Sequence, residues 1–112
     1  MNLKLNGMDV CLCCEFFDAW LCDKKVGKVA STMIKYGKEI YEKNQTEFDG
    51  MYCKDVEIIA QKLFQSEINY GRILAFLVFA VVQFPDKKVE TCKALRTIDK
   101  GWWLCFDNYL FY

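Results

Sequence analysis

The sequence predicts an all-α fold wound around one central apolar helix. Three observations carry that prediction. Residues 73–82 are apolar without interruption, a run about half as long as the roughly 20 residues that cross a bilayer. It therefore reads as a buried core helix. On either side of it, apolar residues recur at spacings of three and four, with lysines and carboxylates on the opposite face. Gly27, Asp49-Gly50, Ser66, Pro85 and Gly101 then divide the chain into about six helical segments.

The first segment, 9–25, places Val10, Cys14, Phe17 and Leu21 on one stripe, widened by Cys13, Phe16 and Trp20. Asp18, Asp23, Lys24 and Lys25 face water. The second, 29–43, has the stripe Val29, Met33, Tyr36 and Ile40 with Gly37 beside it. Lys35, Lys38, Glu39, Glu42 and Lys43 fill its other face at helical spacing. Residues 44–50 read as a loop or short irregular turn. In 54–65, Val56, Ile59, Ala60, Leu63 and Phe64 point inward.

Asn69 is suited to cap the central helix, about 70–83, because its side chain accepts an amide hydrogen bond. That helix is apolar nearly all round, so it needs neighbours on several sides. Pro85 ends it. Asp86 is placed to cap a fifth helix, about 87–98, with Val89, Cys92 and Leu95 inward. A turn at 99–101 and a short sixth helix at 102–110 complete the pattern.

Bulk properties narrow the function. A chain of 112 residues supports one domain with a small core. An apolar content of 54% argues against disorder. Fifteen basic and fifteen acidic residues cancel, so no charge excess points to nucleic acid. Neutrality with this many aromatics favours self-association. Seven cysteines cannot all pair within one chain. Residues 1–9 lack the apolar centre of a secretory signal. Free, mostly buried thiols in a reducing compartment are the expectation, with a disulfide between chains as the alternative. Cys11, Cys13, Cys14 and Cys22 gather near the start.

Catalytic signals are sparse. The chain has no histidine, the commonest acid–base group and metal ligand. Of its cysteines only Cys11 and Cys14 are separated by two residues, with a third cysteine between them and no second such pair as a zinc site needs, and its glycines are too scattered for a phosphate loop. Asp55 with Glu57 and Glu39 with Glu42 read as solvated surface charge. A protein without enzymatic activity, cofactor or metal is expected.

Asn69-Tyr70-Gly71-Arg72-Ile73-Leu74-Ala75-Phe76, preceded by Lys62-Leu63-Phe64 and Glu67-Ile68, resembles the first homology region of the Bcl-2 family, with Tyr70 for the usual tryptophan. Gly101-Trp102 with Phe106 resembles the second, although Trp103 stands where an acid is common. Val29, Met33, Tyr36, Gly37, Glu39 and Ile40 resemble the third, with Lys38 in place of its first acid. The interval from Phe79 to Trp102 is short for the family, and no tail anchor follows.

The resemblance implies a single Bcl-2-like helical bundle over residues 1–112, with a shortened later helical region. It implies an anti-apoptotic protein that sequesters the amphipathic death-domain helix of pro-apoptotic Bcl-2 proteins in a hydrophobic groove. Carried over residue by residue, the groove would use Met33, Tyr36 and Tyr41 as one wall, and Val56, Ile59, Leu63, Phe64, Leu74 and Phe76 as its floor. Arg72 would pair the partner's aspartate, Asn69 would add a hydrogen bond, and Gly71 would let the partner backbone approach. Compact, anchorless members resemble those of large DNA viruses. That implies action in the host cytoplasm or at the mitochondrial outer membrane, and a homodimer covering residual apolar surface. A pro-apoptotic or groove-blocked protein of the same fold is the alternative.

Overall fold

Fourteen residues, Tyr70–Gln83, form the helix around which the rest is arranged. The computed structural model describes residues 2–50, 54–65 and 67–98. In chain order the helices are α1 (Asn2–Cys22), α2 (Lys28–Lys43), α3 (Gln45–Gly50), α4 (Val56–Leu63), α5 (Tyr70–Gln83) and α6 (Lys88–Ile98). No strand occurs among the described residues. The all-α expectation therefore holds as a helical bundle. The sixth segment expected at 102–110, with Trp102, Trp103, Cys105, Phe106 and Tyr109, lies outside the described residues.

α5 packs against each of the other five helices. Ile73, Leu74, Phe76, Leu77, Val78, Phe79, Ala80 and Val81 are all buried, as an all-round apolar helix requires. Its ends form as the sequence predicts. The Asn69 side chain accepts the Arg72 amide at 2.9 Å, satisfying one of the donors left over at a helix start. At the other end the Phe84 amide closes on the Ala80 carbonyl at 2.7 Å, and Pro85 cannot continue the ladder. A turn then links the Lys87 amide to the Phe84 carbonyl, and the Thr91 amide bonds the Lys87 carbonyl. Lys87, not Asp86, thus stands at the boundary of α6.

α1 and α6 pack against each other and against α5. The buried stripe of α1 is Leu12, Cys13, Phe16 and Phe17. Leu21, expected inside, is 47% exposed, because the helix ends at Cys22 and not at residue 25. Asp23 adopts a left-handed backbone (φ 54°), a conformation aspartate tolerates better than most residues. In α6 the buried arc is Thr91, Cys92, Ala94 and Leu95. Val89, also expected inside, is off that arc and 52% exposed. Thr91 is buried yet satisfied, since its hydroxyl donates to the Lys87 carbonyl at 2.7 Å.

α2 reaches the core through Ala30, Met33 and Gly37. At Gly37 it lies close to both α5 and α1. A methyl group added there would lie 3.3 Å from Val78 Cγ2 and 3.4 Å from ring atoms of Phe16 and Trp20. The small residue lets three helices converge.

Residues 45–50 are helical, correcting the loop expected there. The cause is one side chain. Phe48 is buried, with its ring centroid 4.2 Å from that of Phe79 and 5.7 Å from that of Tyr41. Its carbonyl accepts Gln83 Nε2 at 3.2 Å. α4 is shorter than expected because Asp55 caps it, accepting the Ile58 amide at 3.1 Å. Asp55 is therefore a capping residue, a role its reading as surface charge overlooked.

Candidate functional site

The Asn69–Arg72 turn is placed by two helices. α5 fixes the backbone through the Asn69 cap. α4 fixes the arginine side chain, because Arg72 Nη1 donates to the Leu63 carbonyl at 2.7 Å. Leu63 is the last residue of α4, where the helix dipole and unpaired carbonyls favour a cation. Arg72 Nε also lies 3.8 Å from Glu67 Oε1. The arginine side chain is 36% exposed and that of Glu67 is 63% exposed. Such a solvated pair contributes no more than about 1 kcal/mol.

The result is a guanidinium whose direction is set by a backbone carbonyl and which remains open to solvent beside a loosely held carboxylate. Gly71 is half-buried next to it. A methyl group on Gly71 would meet only the Asn69 cap oxygen, at an ordinary 3.5 Å. Among the described residues no close packing therefore demands glycine there. Leu63 and Phe64 are half-buried on the adjoining end of α4. Phe64 packs on Phe76 with ring centroids 5.7 Å apart.

The remaining residues of the expected groove fall into two groups. Met33, Val56, Ile59, Leu74 and Phe76 are buried. In this structure they fill the core between the protein's own helices, and of the five only Val56 also borders a cleft described below. The physical reason is that α5 packs against all five of the other helices. Tyr36 and Tyr41 are half-buried on α2. Tyr41 belongs to an aromatic row running from Phe16 through Trp20 and Tyr41 to Phe48 and Phe79, with centroid separations of 5.7, 5.9, 5.7 and 4.2 Å. That row ties α1, α2, α3 and α5 together. Lys38 lies over the Trp20 ring at 4.4 Å, a cation–π contact rather than a charge projecting from a groove. The structure thus gathers Leu63, Phe64, Asn69, Gly71 and Arg72 at the junction of α4 and α5.

Two clefts open on the α4–α6 side. The first, about 330 Å³, is lined by Ala60, Phe64, Ala94 and Ile98 with Glu57, Gln61 and Thr97. The second, about 340 Å³, is more polar and includes Asp55, Lys87, Glu90 and Lys93 with Val56 and Phe84. Of the expected groove residues, Phe64 borders the first and Val56 the second. Sequence periodicity gave no sign of these clefts, since they arise from how α4 and α6 meet.

The chain matches no family model, no curated protein and no solved structure.

A second concentration of chemistry lies where α1 meets α6. Lys88 Nζ donates to Asp18 Oδ1 at 3.1 Å, and Lys24 approaches the other oxygen at 3.9 Å. The hydrogen bond and charge of Asp18 raise the Lys88 pKa above its ordinary value. Cys13 Sγ donates to the Lys88 carbonyl at 3.7 Å. The Cys14 pKa is raised, first by burial and then by the neighbouring Cys92. Cys14 and Cys22 are free thiols. Among the described residues no group of three or more histidine, cysteine or carboxylate side chains could hold a metal ion. No helix among them is long and apolar enough to cross a membrane.

Proposed function

We propose that this chain is an anti-apoptotic Bcl-2-like protein that sequesters the amphipathic death-domain helix of pro-apoptotic Bcl-2 proteins. One observation carries the reading: a half-exposed arginine, oriented by the Leu63 carbonyl, opens the first turn of the buried helix α5. A carboxylate arriving on a partner helix meets a guanidinium already held in place, so little side-chain freedom is lost on pairing. Glu67 is the group it displaces. Gly71 keeps the surface beside Arg72 low, and Leu63 and Phe64 offer apolar area next to the charge. Helix recognition needs this pairing of an apolar strip with one positioned polar contact.

The reading is tested by calorimetric titration of the reduced protein with helical peptides that carry an aspartate among apolar residues at three- and four-residue spacing. Submicromolar binding is expected. Arg72→Ala should weaken it by about 1.5–3 kcal/mol, with helix content checked by circular dichroism. Wild-type affinity in that variant would remove Arg72 from the site. Survival of cells given a death stimulus decides between an inhibitor and a pro-apoptotic protein.

A second reading, a Bcl-2-like protein whose groove is closed, draws on the burial of Met33, Val56, Ile59, Leu74 and Phe76. It predicts no binding by a folded protein across the same peptides.

A further inference from the structure

We propose that the cleft between α4 and α6 bordered by Glu57 and Phe64 binds a small organic amine, held as its ammonium ion with the apolar body inward. The proposal is independent of helix capture, since neither Asn69 nor Arg72 lines this cleft. It starts from size. A volume of about 330 Å³ stands at the small end of ligand pockets, whose range begins at about 300 Å³. A single ring or a short chain suits such a space.

The lining is graded from apolar to polar. Ala60 and Ala94 are buried, Phe64 and Ile98 are half-buried, and Glu57, Gln61 and Thr97 are exposed. Apolar walls with a few polar groups at one side orient an amphipathic molecule. Glu57 is the one charged side chain among the described lining residues. Among the described residues it belongs to no ion pair. The Thr97 hydroxyl already donates to the Lys93 carbonyl at 2.9 Å, which leaves its oxygen to accept. Gln61 adds a side-chain carbonyl. An ammonium group has three N–H donors and accepts nothing, which matches a rim of one carboxylate and two neutral acceptors.

The adjoining cleft shows the contrast. It shares Glu57, but there Lys54, Lys87 and Lys93 stand beside Asp55, Glu57 and Glu90. Lys87 and Glu90 pair at 3.6 Å, and Asp55 is engaged as the α4 cap. Charges of both signs give that cleft no preference for either ion, so charge selection belongs to the first. Its size is bounded by solvent. Glu57 is exposed, and a solvated carboxylate gives a several-fold preference rather than one of many orders of magnitude. The apolar body supplies the rest of the affinity, with the Phe64 ring offering a face or edge to an aromatic ligand.

The test titrates the reduced full chain at neutral pH with phenylethylamine, phenylethanol and phenylpropionate, which share a ring and linker but differ in charge. Amide shifts in nuclear magnetic resonance spectra are the readout. The amine should give saturable shifts at Ala60, Gln61, Phe64, Ala94 and Thr97, and should bind several-fold tighter than the alcohol, with the carboxylate weakest. Added salt should weaken the amine and leave the alcohol unchanged. Glu57→Gln should remove the advantage of the amine over the alcohol while the alcohol still binds. Equal binding of amine and carboxylate would overturn the proposal. So would shifts centred elsewhere, no saturable shift with the amine, or an advantage that survives Glu57→Gln. If that variant fails to fold, the ranking of the three probes on the wild type and its salt dependence decide.

Discussion

Arg72 Nη1 donates to the Leu63 carbonyl at 2.7 Å, tying the first turn of α5 to the last residue of α4. The contact has two consequences. It satisfies a carbonyl at a helix end, where hydrogen-bonding groups are otherwise left over. It also sets the direction of the guanidinium before any partner arrives. The structural role and the proposed binding role therefore fall on one side chain, and a substitution there must be read on both.

Asn69→Ala should cost about 1 kcal/mol, because the Arg72 amide loses its cap. Asn69→Asp should retain most of the stability, since a carboxylate accepts the same bond and suits the positive end of a helix. Chemical denaturation of the variants checks this. Equal stability of the alanine variant and the wild type would mean that the cap contributes nothing.

Gly37→Ala sets two effects against each other. Alanine favours a helix over glycine by about 1 kcal/mol. The added methyl would sit 3.3 Å from Val78 and 3.4 Å from the Phe16 and Trp20 rings, and overpacking costs about 1–3 kcal/mol. A net loss of about 1 kcal/mol is expected in thermal melts. A gain would show that α2 can move away from α5 at little cost.

Phe48→Ala should destabilise the protein by about 3–5 kcal/mol, the usual range for emptying a buried aromatic site. The amides of 45–50 should then lose hydrogen-exchange protection well beyond those of α5, because Phe48 is what holds α3 against Tyr41 and Phe79. Uniform loss across the chain would contradict that local role.

Alkaline pH should weaken the fold. The Cys14 and Lys88 pKa values are both raised in the folded state, from ordinary values of 9.0 and 10.5. The folded protein therefore binds more protons than the unfolded chain as pH climbs past those values. Stability is fully present below about pH 9 and falls as pH rises through the folded-state values. Melts of the reduced protein between pH 8 and 11 should show a declining midpoint, with a shallower decline in Cys14→Ala. A flat profile would contradict both shifts.

Much of the fold was legible in the sequence. The central helix was recognised to its ends because three signals agree there: the Asn69 cap, the continuous apolar run and Pro85. α3 was not legible, because six residues with a single buried aromatic carry no periodicity. Leu21 and Val89 were misplaced for a related reason. Spacing finds a stripe but not which edge of it the neighbouring helices cover, and Asp23 ends α1 before a full turn beyond Leu21 can form. At the candidate site, Asn69 and Arg72 were identifiable by residue type and position. The tie to the Leu63 carbonyl was not, because it depends on where α4 ends relative to α5.

The most direct test of helix capture is a double-mutant cycle between Arg72→Ala and an aspartate-to-alanine change in the partner peptide, read by calorimetric titration. The account predicts that each change weakens binding and that the pair weakens it by clearly less than the sum, with a coupling of about 1 kcal/mol or more. Additive losses, or no binding by the folded wild type, would contradict it.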